Sequence, residues 1–341
     1  MRLAIDVMGG DQGPQAIIAG SAMAAVEHPH LELVLFGPHQ QIAAELSRLP
    51  RPLAAATSRL VVYDAPDSVA SSATAAWALR RGQATSMGQM LRSVALGDTV
   101  AGVSAGSTAA LVALARRELG MVEGVSRPAI STAIPARNGG RCYLLDLGAN
   151  VDSPAHRLVD FALMGAAMAQ CVDGTVQPRV ALLNVGAEAT KGSASVREAD
   201  RLLRERAGRD PFVYHGYAEG GDVFKGQLDV VVCDGFVGNA VLKASEGLTS
   251  MLVERVQLAF ESRLSGRLAS LLAKPVLKRL KQELDPVRYN GASLLGLRGI
   301  VVKSHGCAHA DGFYYAIHRA LQEVEHDLPA RIAGRWQASS L

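Results

Sequence analysis

Val230-Val-Val-Cys-Asp-Gly-Phe-Val-Gly-Asn-Ala-Val-Leu-Lys243 holds a buried strand, a turn and a helix start in one stretch. Its valines show little alternation, as a parallel strand covered on both faces requires. Asp234 and Gly235 stand just past the strand's carboxyl end, and a helical pattern begins beyond Gly238 and Asn239. Ligands of open α/β sheets bind outside the carboxyl ends of strands, so Asp234 and Asn239 become candidate site residues.

The same device recurs. A strand over residues 2–7 runs into Asp6-Val-Met-Gly-Gly-Asp11, offering Asp6, Gly9, Gly10 and Asp11. Residues 99–105 lead into Ser104, Gly106, Ser107 and Thr108, and 109–119 reads as a helix. Residues 142–147 carry Asp146 and end in Gly148-Ala-Asn150, and 179–185 carry Asn184, with Lys191-Gly-Ser193 close behind. Residues 299–304 end in His305-Gly306. Each end supplies glycine for close backbone approach and one or two polar groups. Together they predict one crevice built from many loops. Further strands at 31–36, 59–63, 129–134 and 211–215 alternate with helical patterns, which predicts an α/β fold with a doubly wound, mostly parallel sheet.

With 341 residues, 49% of them hydrophobic, the chain can bury a large core, as one α/β unit over 1–341 or as two lobes sharing a crevice. Aromatics are only 5%, so that core is aliphatic. A net charge of +3 with no interleaving of basic and aromatic residues gives no footprint for nucleic acid. The start Met1-Arg-Leu-Ala-Ile-Asp6 reads as a strand and not as an export signal, and no apolar run is long enough to span a membrane. Cys142, Cys171, Cys233 and Cys307 show no CxxC spacing, so the expectation is a cytoplasmic protein with reduced thiols.

Residues 248–284 differ from the rest. Leucines recur near helical spacing, and Pro275 breaks the run, which predicts a helical hairpin. Residues 254–283 hold seven basic groups and three acids, a local net of +4 that leaves −1 for the remainder. The hairpin suits packing on the body or on a second subunit, or a basic amphipathic surface for anionic lipid or an acidic partner.

Several short motifs compete. Gly102-Val-Ser-Ala-Gly106 fits the nucleophile-elbow pattern, and Asp234 and His305 follow in the order a serine hydrolase needs. No HGGG-type oxyanion segment precedes it, and Gly106-Ser-Thr108 at a helix start suits an anion instead. Around Gly186-Ala-Glu-Ala-Thr-Lys-Gly-Ser193 the lysine precedes the second glycine, so this is not a P-loop, although Lys191 can serve as a point charge for phosphate. Met8-Gly-Gly-Asp11 is not a dinucleotide fingerprint. His305 and His309 stand four apart, a metal-seating spacing only if helical, and Gly306 argues against helix there. A non-catalytic adaptor for an acyl carrier or membrane is the remaining alternative.

Taken together, Ala4-Ile-Asp-Val-Met-Gly-Gly-Asp11, Val103-Ser-Ala-Gly106, Leu144-Leu-Asp-Leu-Gly-Ala-Asn-Val-Asp152, Leu182-Leu-Asn-Val-Gly186 with Thr190-Lys-Gly192, residues 229–239, Asp285-Pro286 with Gly291-Ala292, and His305-Gly306 resemble the phosphate acyltransferases of bacterial phospholipid synthesis. Ser107 and Ala109 depart from the family's usual Asn and Gly, and Tyr217 from its usual Asn. The resemblance implies transfer of a long-chain acyl group from acyl carrier protein to inorganic phosphate, without cofactor or metal. It implies a fold similar to phosphate acetyltransferases and isocitrate-type dehydrogenases, and a homodimer. It also implies peripheral contact with the inner face of the membrane, where a glycerol-3-phosphate acyltransferase consumes the product. On that basis Lys191 is expected to hold phosphate or the oxyanion. Ser104, Gly106, Ser107 and Thr108 would form a phosphate nest, and Asn239 would donate to the acyl carbonyl or phosphate. Asp234 would orient Lys191 or share a phosphate proton, and His305 is the spare acid/base. Asp6, Gly9, Gly10, Asp11, Asn150 and Asn184 would complete substrate binding.

Overall fold

Apolar strands and the helices between them close into one eleven-stranded sheet in the computed structural model, which describes residues 1–137, 139–261, 287 and 290–339. The strands are β1 (Arg2–Asp6), β2 (Glu32–Gly37), β3 (Leu60–Asp64), β4 (Ala101–Ser104), β5 (Ala129–Pro135), β6 (Arg141–Leu145), β7 (Arg179–Leu183), β8 (Val213–Ala218), β9 (Val230–Val232), β10 (Ala292–Leu295) and β11 (Ile300–Lys303). Their order is β3-β2-β1-β4-β11-β10-β5-β6-β9-β7-β8. β3, β2, β1, β4 and β11 form one parallel block, and β6, β9, β7 and β8 form another. β10 pairs antiparallel with both β11 and β5, and β5 pairs antiparallel with β6. The two blocks therefore run in opposite directions.

That reversal modifies the expected sheet. Most pairings are parallel, as the βα alternation predicted, but the joint is antiparallel and contains β10, which no hydropathy period announced. Four residues between Gly291 and Gly296 are too few to show one.

Burial explains the strand compositions. Val230 and Val232 face the core beneath the helix Ala155–Asp173, with Phe161, Met164 and Met168, while Val231 faces the opposite cluster with Leu144 and Cys142. Both faces are covered, so no alternation survives in the sequence. In the first block Leu3, Ile5, Val103 and Val302 pack under the helices Gly13–Glu27 and Ala310–Glu325. Met87, Met90, Leu111 and Leu114, from the helices Ser86–Ala95 and Thr108–Leu119, cover the other face.

The hairpin expected over 248–284 is described only as far as Glu261, the end of the continuous helix Gly235–Glu261, and the rest lies outside the described residues. This long helix bridges the blocks. It starts at the end of β9, and its Glu246 reaches His305 beyond β11.

Candidate functional site

Asp6 ends β1 directly opposite Ser104 at the end of β4. Its carboxylate accepts from Ser104 Oγ at 2.6 Å, from Ser86 Oγ at 2.7 Å and from the Met8 N–H at 3.3 Å. Burial pushes its pKa up against those hydrogen bonds. Ser104 Oγ in turn accepts from the Gly106 N–H at 3.0 Å. Asp6 is 1% exposed and Ser104 0%, so both of these expected substrate-binding side chains are enclosed by the loops around them. They lock the loops. Gly9 fits the same lock, because a Cβ there would lie 2.5 Å from the Gly106 nitrogen, and the Asp11 N–H donates to the Gly306 carbonyl at 2.7 Å.

This arrangement overturns the serine-hydrolase expectation. Asp234 accepts from the Ser153 and Phe236 N–H groups at 2.8 and 2.9 Å, and His305 Nε2 sits 3.2 Å from Glu246. Neither is bonded to Ser104, which is sealed where a nucleophile elbow would expose it. Residues 305–309 form a turn, not a helix, and among the described residues no group of three or more His, Cys, Asp or Glu is arranged to hold a metal.

A second lock lies across the sheet. Asp146, buried after β6, accepts from the N–H groups of Ile130, Leu147 and Asn150 at 2.8, 2.7 and 2.6 Å. Both hydrogens of the Asn150 amide are committed, to Pro128 O at 2.8 Å and to Asp146 Oδ2 at 3.0 Å. The helix Gly235–Glu261 rests on this turn through glycine: a Cβ on Gly235 would lie 2.2 Å from Asn150 O, and one on Gly238 2.0 Å from Asp146 O. Asp234 is thus a helix-start residue tied to backbone. Its expected orientation of Lys191 is not seen, since Lys191 pairs with Glu188 instead.

Between these locks opens a cleft of about 810 Å³. Thr108, Ala109 and Val112 form one wall, Leu147 to Asn150 and Asn239 another, and Leu79 and Ala75 close the side. Arg116, Arg117 and Arg127 line it, and no carboxylate is among its described lining residues. At Thr108 a twelve-residue helix begins, and its first N–H groups have no intrahelical carbonyl to bond. Ser107, at the N-cap, makes no side-chain cap. Of the expected site residues, the structure brings Thr108, Asn150 and Asn239 to this cleft.

Lys191 stands apart. It pairs with Glu188 at 2.8 Å on an exposed loop, and this pairing holds its pKa above the ordinary lysine value. Asn184 builds that loop by donating to Gly186 O and Lys191 O at 3.1 and 3.2 Å. The expected single crevice is therefore only partly assembled: the ends of β4, β6 and β9 reach the cleft, and the loop after β7 that carries Lys191 does not line it. Tyr217, one of the departures, packs against the second block's core.

Lys303 was missed. It ends β11 beside Ser104, and its ammonium donates to the carbonyls of Ala105 at 3.2 Å and of Ser304. Burial, then the nearby Lys243, pulls its pKa down to about 8. Lys243 itself pairs with Glu246 at 2.9 Å, the acid that also meets His305. A signal was present, since Lys303 continues the inward register of Val301, the alternate position of a buried strand. Arg127 and Arg116 carried no such signal, being exposed residues outside any motif.

The cysteines are free, and only Cys307 is exposed. Burial drives the Cys233 thiol far above its usual range, which makes it a poor nucleophile.

The family model of fatty acid synthesis proteins matches residues 1–331. A phosphate acyltransferase of Stutzerimonas stutzeri is 50% identical over 333 residues, covering 98% of this chain and 91% of the relative. Another, from Pseudomonas syringae pv. tomato, is 47% identical over 338 residues, with 98% and 96% covered. Among solved structures, a phosphotransacetylase of Streptococcus pyogenes superposes with a TM-score of 0.61 at 18% identity, covering 95% of this chain and 94% of that one. A branched-chain phosphotransacylase of Enterococcus faecalis also gives 0.61, at 14% identity with 95% and 99% covered. These likenesses bear out the expected fold relationship. The chain belongs to the family of fatty acid synthesis proteins that includes these phosphate acyltransferases.

Proposed function

We propose that this protein transfers an acyl group from the thioester of an acyl carrier protein to inorganic phosphate. A phosphate oxygen attacks the thioester carbonyl carbon, the carbon–sulfur bond breaks, and the thiolate leaves and takes up a proton, giving acyl phosphate and free carrier thiol. The observation that carries this is the cleft in which the helix start at Thr108 and Asn239 meet across the sheet joint, lined by arginine and, among the described residues, not by carboxylate. Membership of the family supports the same reaction.

The chemistry needs no covalent enzyme intermediate. Phosphate is already nucleophilic at neutral pH and a thiolate leaves readily, so positioning and oxyanion stabilisation supply the rate. Asn239 donates to the acyl carbonyl, the N–H groups at Thr108 face negative charge, and Lys191 adds positive charge from its exposed loop. Asp6, Ser104, Asp146 and Asn150 hold these parts in place. Association as a homodimer and contact of residues 248–284 with the inner membrane surface would deliver acyl phosphate to a membrane glycerol-3-phosphate acyltransferase.

The test is phosphate-dependent thiol release from a long-chain acyl carrier protein, with the organic product identified. Acyl phosphate formed only with phosphate present is expected, and Lys191→Ala should lower kcat/KM by about 100-fold. Free fatty acid formed without phosphate would reject the transfer. Wild-type turnover in Lys191→Ala would remove that lysine from it.

A further inference from the structure

The position of Lys303 asks for an anion. Its side chain rises from β11 between Ser104 of β4 and Ala292 of β10, at the ends of the central strands. Two of its three N–H bonds are satisfied by the carbonyls of Ala105 and Ser304, which leaves one. Among the described residues no carboxylate lies within ion-pairing distance of its ammonium. Asp6 and Asp11 act on it only at longer range, and Asp6 is spent on Ser104 and Ser86. Lys243 adds a second positive charge from the bridging helix, and its acid, Glu246, is shared with His305. A largely desolvated cation touching only neutral carbonyls is unfavourable unless an anion completes it. The Gly106–Thr108 loop begins at Ala105, whose carbonyl Lys303 already holds.

We propose that the free N–H of Lys303 binds the phosphate nucleophile, with Lys243 as the second charge. Phosphate would then lie over the ends of β4 and β11, beside the helix start at Thr108, leaving Asn239 to the acyl carbonyl. This rests on the acyl-transfer reading above. Because burial sets the lysine's pKa at about 8, binding should weaken as pH rises through that value. The titratable and charged groups acting on it are Lys243, Asp11, Asp6 and Cys307, and Lys243 pairs in turn with Glu246, which also meets His305.

The experiment combines steady-state kinetics with calorimetric titration of inorganic phosphate into the full chain, without acyl donor. Lys303→Met should raise the KM for phosphate at least about tenfold and abolish the calorimetric binding, with the KM for acyl donor unchanged. Lys303→Arg should retain binding and move the alkaline loss to higher pH, a change that a merely structural lysine would not produce. Lys303→Met with wild-type phosphate affinity overturns the assignment. Should Lys303→Met fail to fold, acetylation of Lys303 in the wild type is followed by mass spectrometry. Slowing by phosphate at Lys303 but not at the exposed Lys225 supports the assignment, and an unchanged rate overturns it. Acyl phosphate formation by the wild type with normal phosphate affinity in Lys303→Met would sink the assignment alone. Phosphate binding through Lys303 without acyl phosphate formation would sink the reaction alone.

Discussion

Asp6 and Ser104 show how polar residues at strand ends can build the frame of a site through bonds to each other and to the loops. Their hydrogen bonds close on each other and on Ser86, so their burial is compensated. Glu323 is compensated less completely. It is 2% exposed, accepts from Ser293 Oγ and lies 3.5 Å from the Arg319 guanidinium, which also stacks over Tyr143. Burial outweighs the pull of Arg319 and raises the carboxyl to about 7. Between the ordinary value of 4.5 and about 7, the folded chain therefore holds a proton that the unfolded chain has released. Stability must fall as pH climbs through that window, by about 3 kcal/mol at most. Urea unfolding at pH 5 and pH 8 should show this loss in the wild type, and Glu323→Gln should flatten it. Equal pH slopes in the two proteins would show that Glu323 stays ionised.

Among the elements, the helix Gly235–Glu261 decides most. Its first turn lies against the Asp146–Asn150 turn, its Glu246 meets His305 and its Lys243 acts on Lys303 through charge, so one rigid body places Asn239, Lys243 and Glu246. Contact depends on a missing Cβ. A methyl group at Gly238 would sit 2.0 Å from Asp146 O and 2.7 Å from Cys233 Sγ, and both are fixed by the buried sheet end. Gly238→Ala should cost about 3 kcal/mol of stability by urea unfolding. It should also reduce kcat/KM, because Asn239 moves with the helix. A folded Gly238→Ala protein of wild-type stability would mean that the helix can lift without strain.

At the scale of the whole molecule, charge is unevenly spread. A net of +3 is small, yet the cleft carries Arg116, Arg117 and Arg127 without a described lining acid. An acidic carrier would be steered toward such a mouth. Raising ionic strength from 0.01 to 0.15 M shortens the screening length from about 30 to about 8 Å, so kcat/KM for the carrier substrate should fall about tenfold. Phosphate is held saturating during the measurement, and a flat response would exclude steering by these arginines.

Local hydropathy alone determined the class of fold and every strand of the eleven except β10. Burial on two faces leaves continuous apolar runs such as Val230-Val-Val232, and those runs are visible without coordinates. It also marked Asn239 and Thr108 as strand-end polar groups, and both line the cleft. Tertiary structure decided which strand ends meet. The antiparallel joint through β10 and β5 sets the two blocks side by side, so that Asn150 and Asn239 meet Thr108 in one cleft and Lys243 comes near Lys303, while Lys191 stays on an exposed loop. Strand direction depends on hydrogen bonds between segments far apart in the chain, and a local period carries no trace of them.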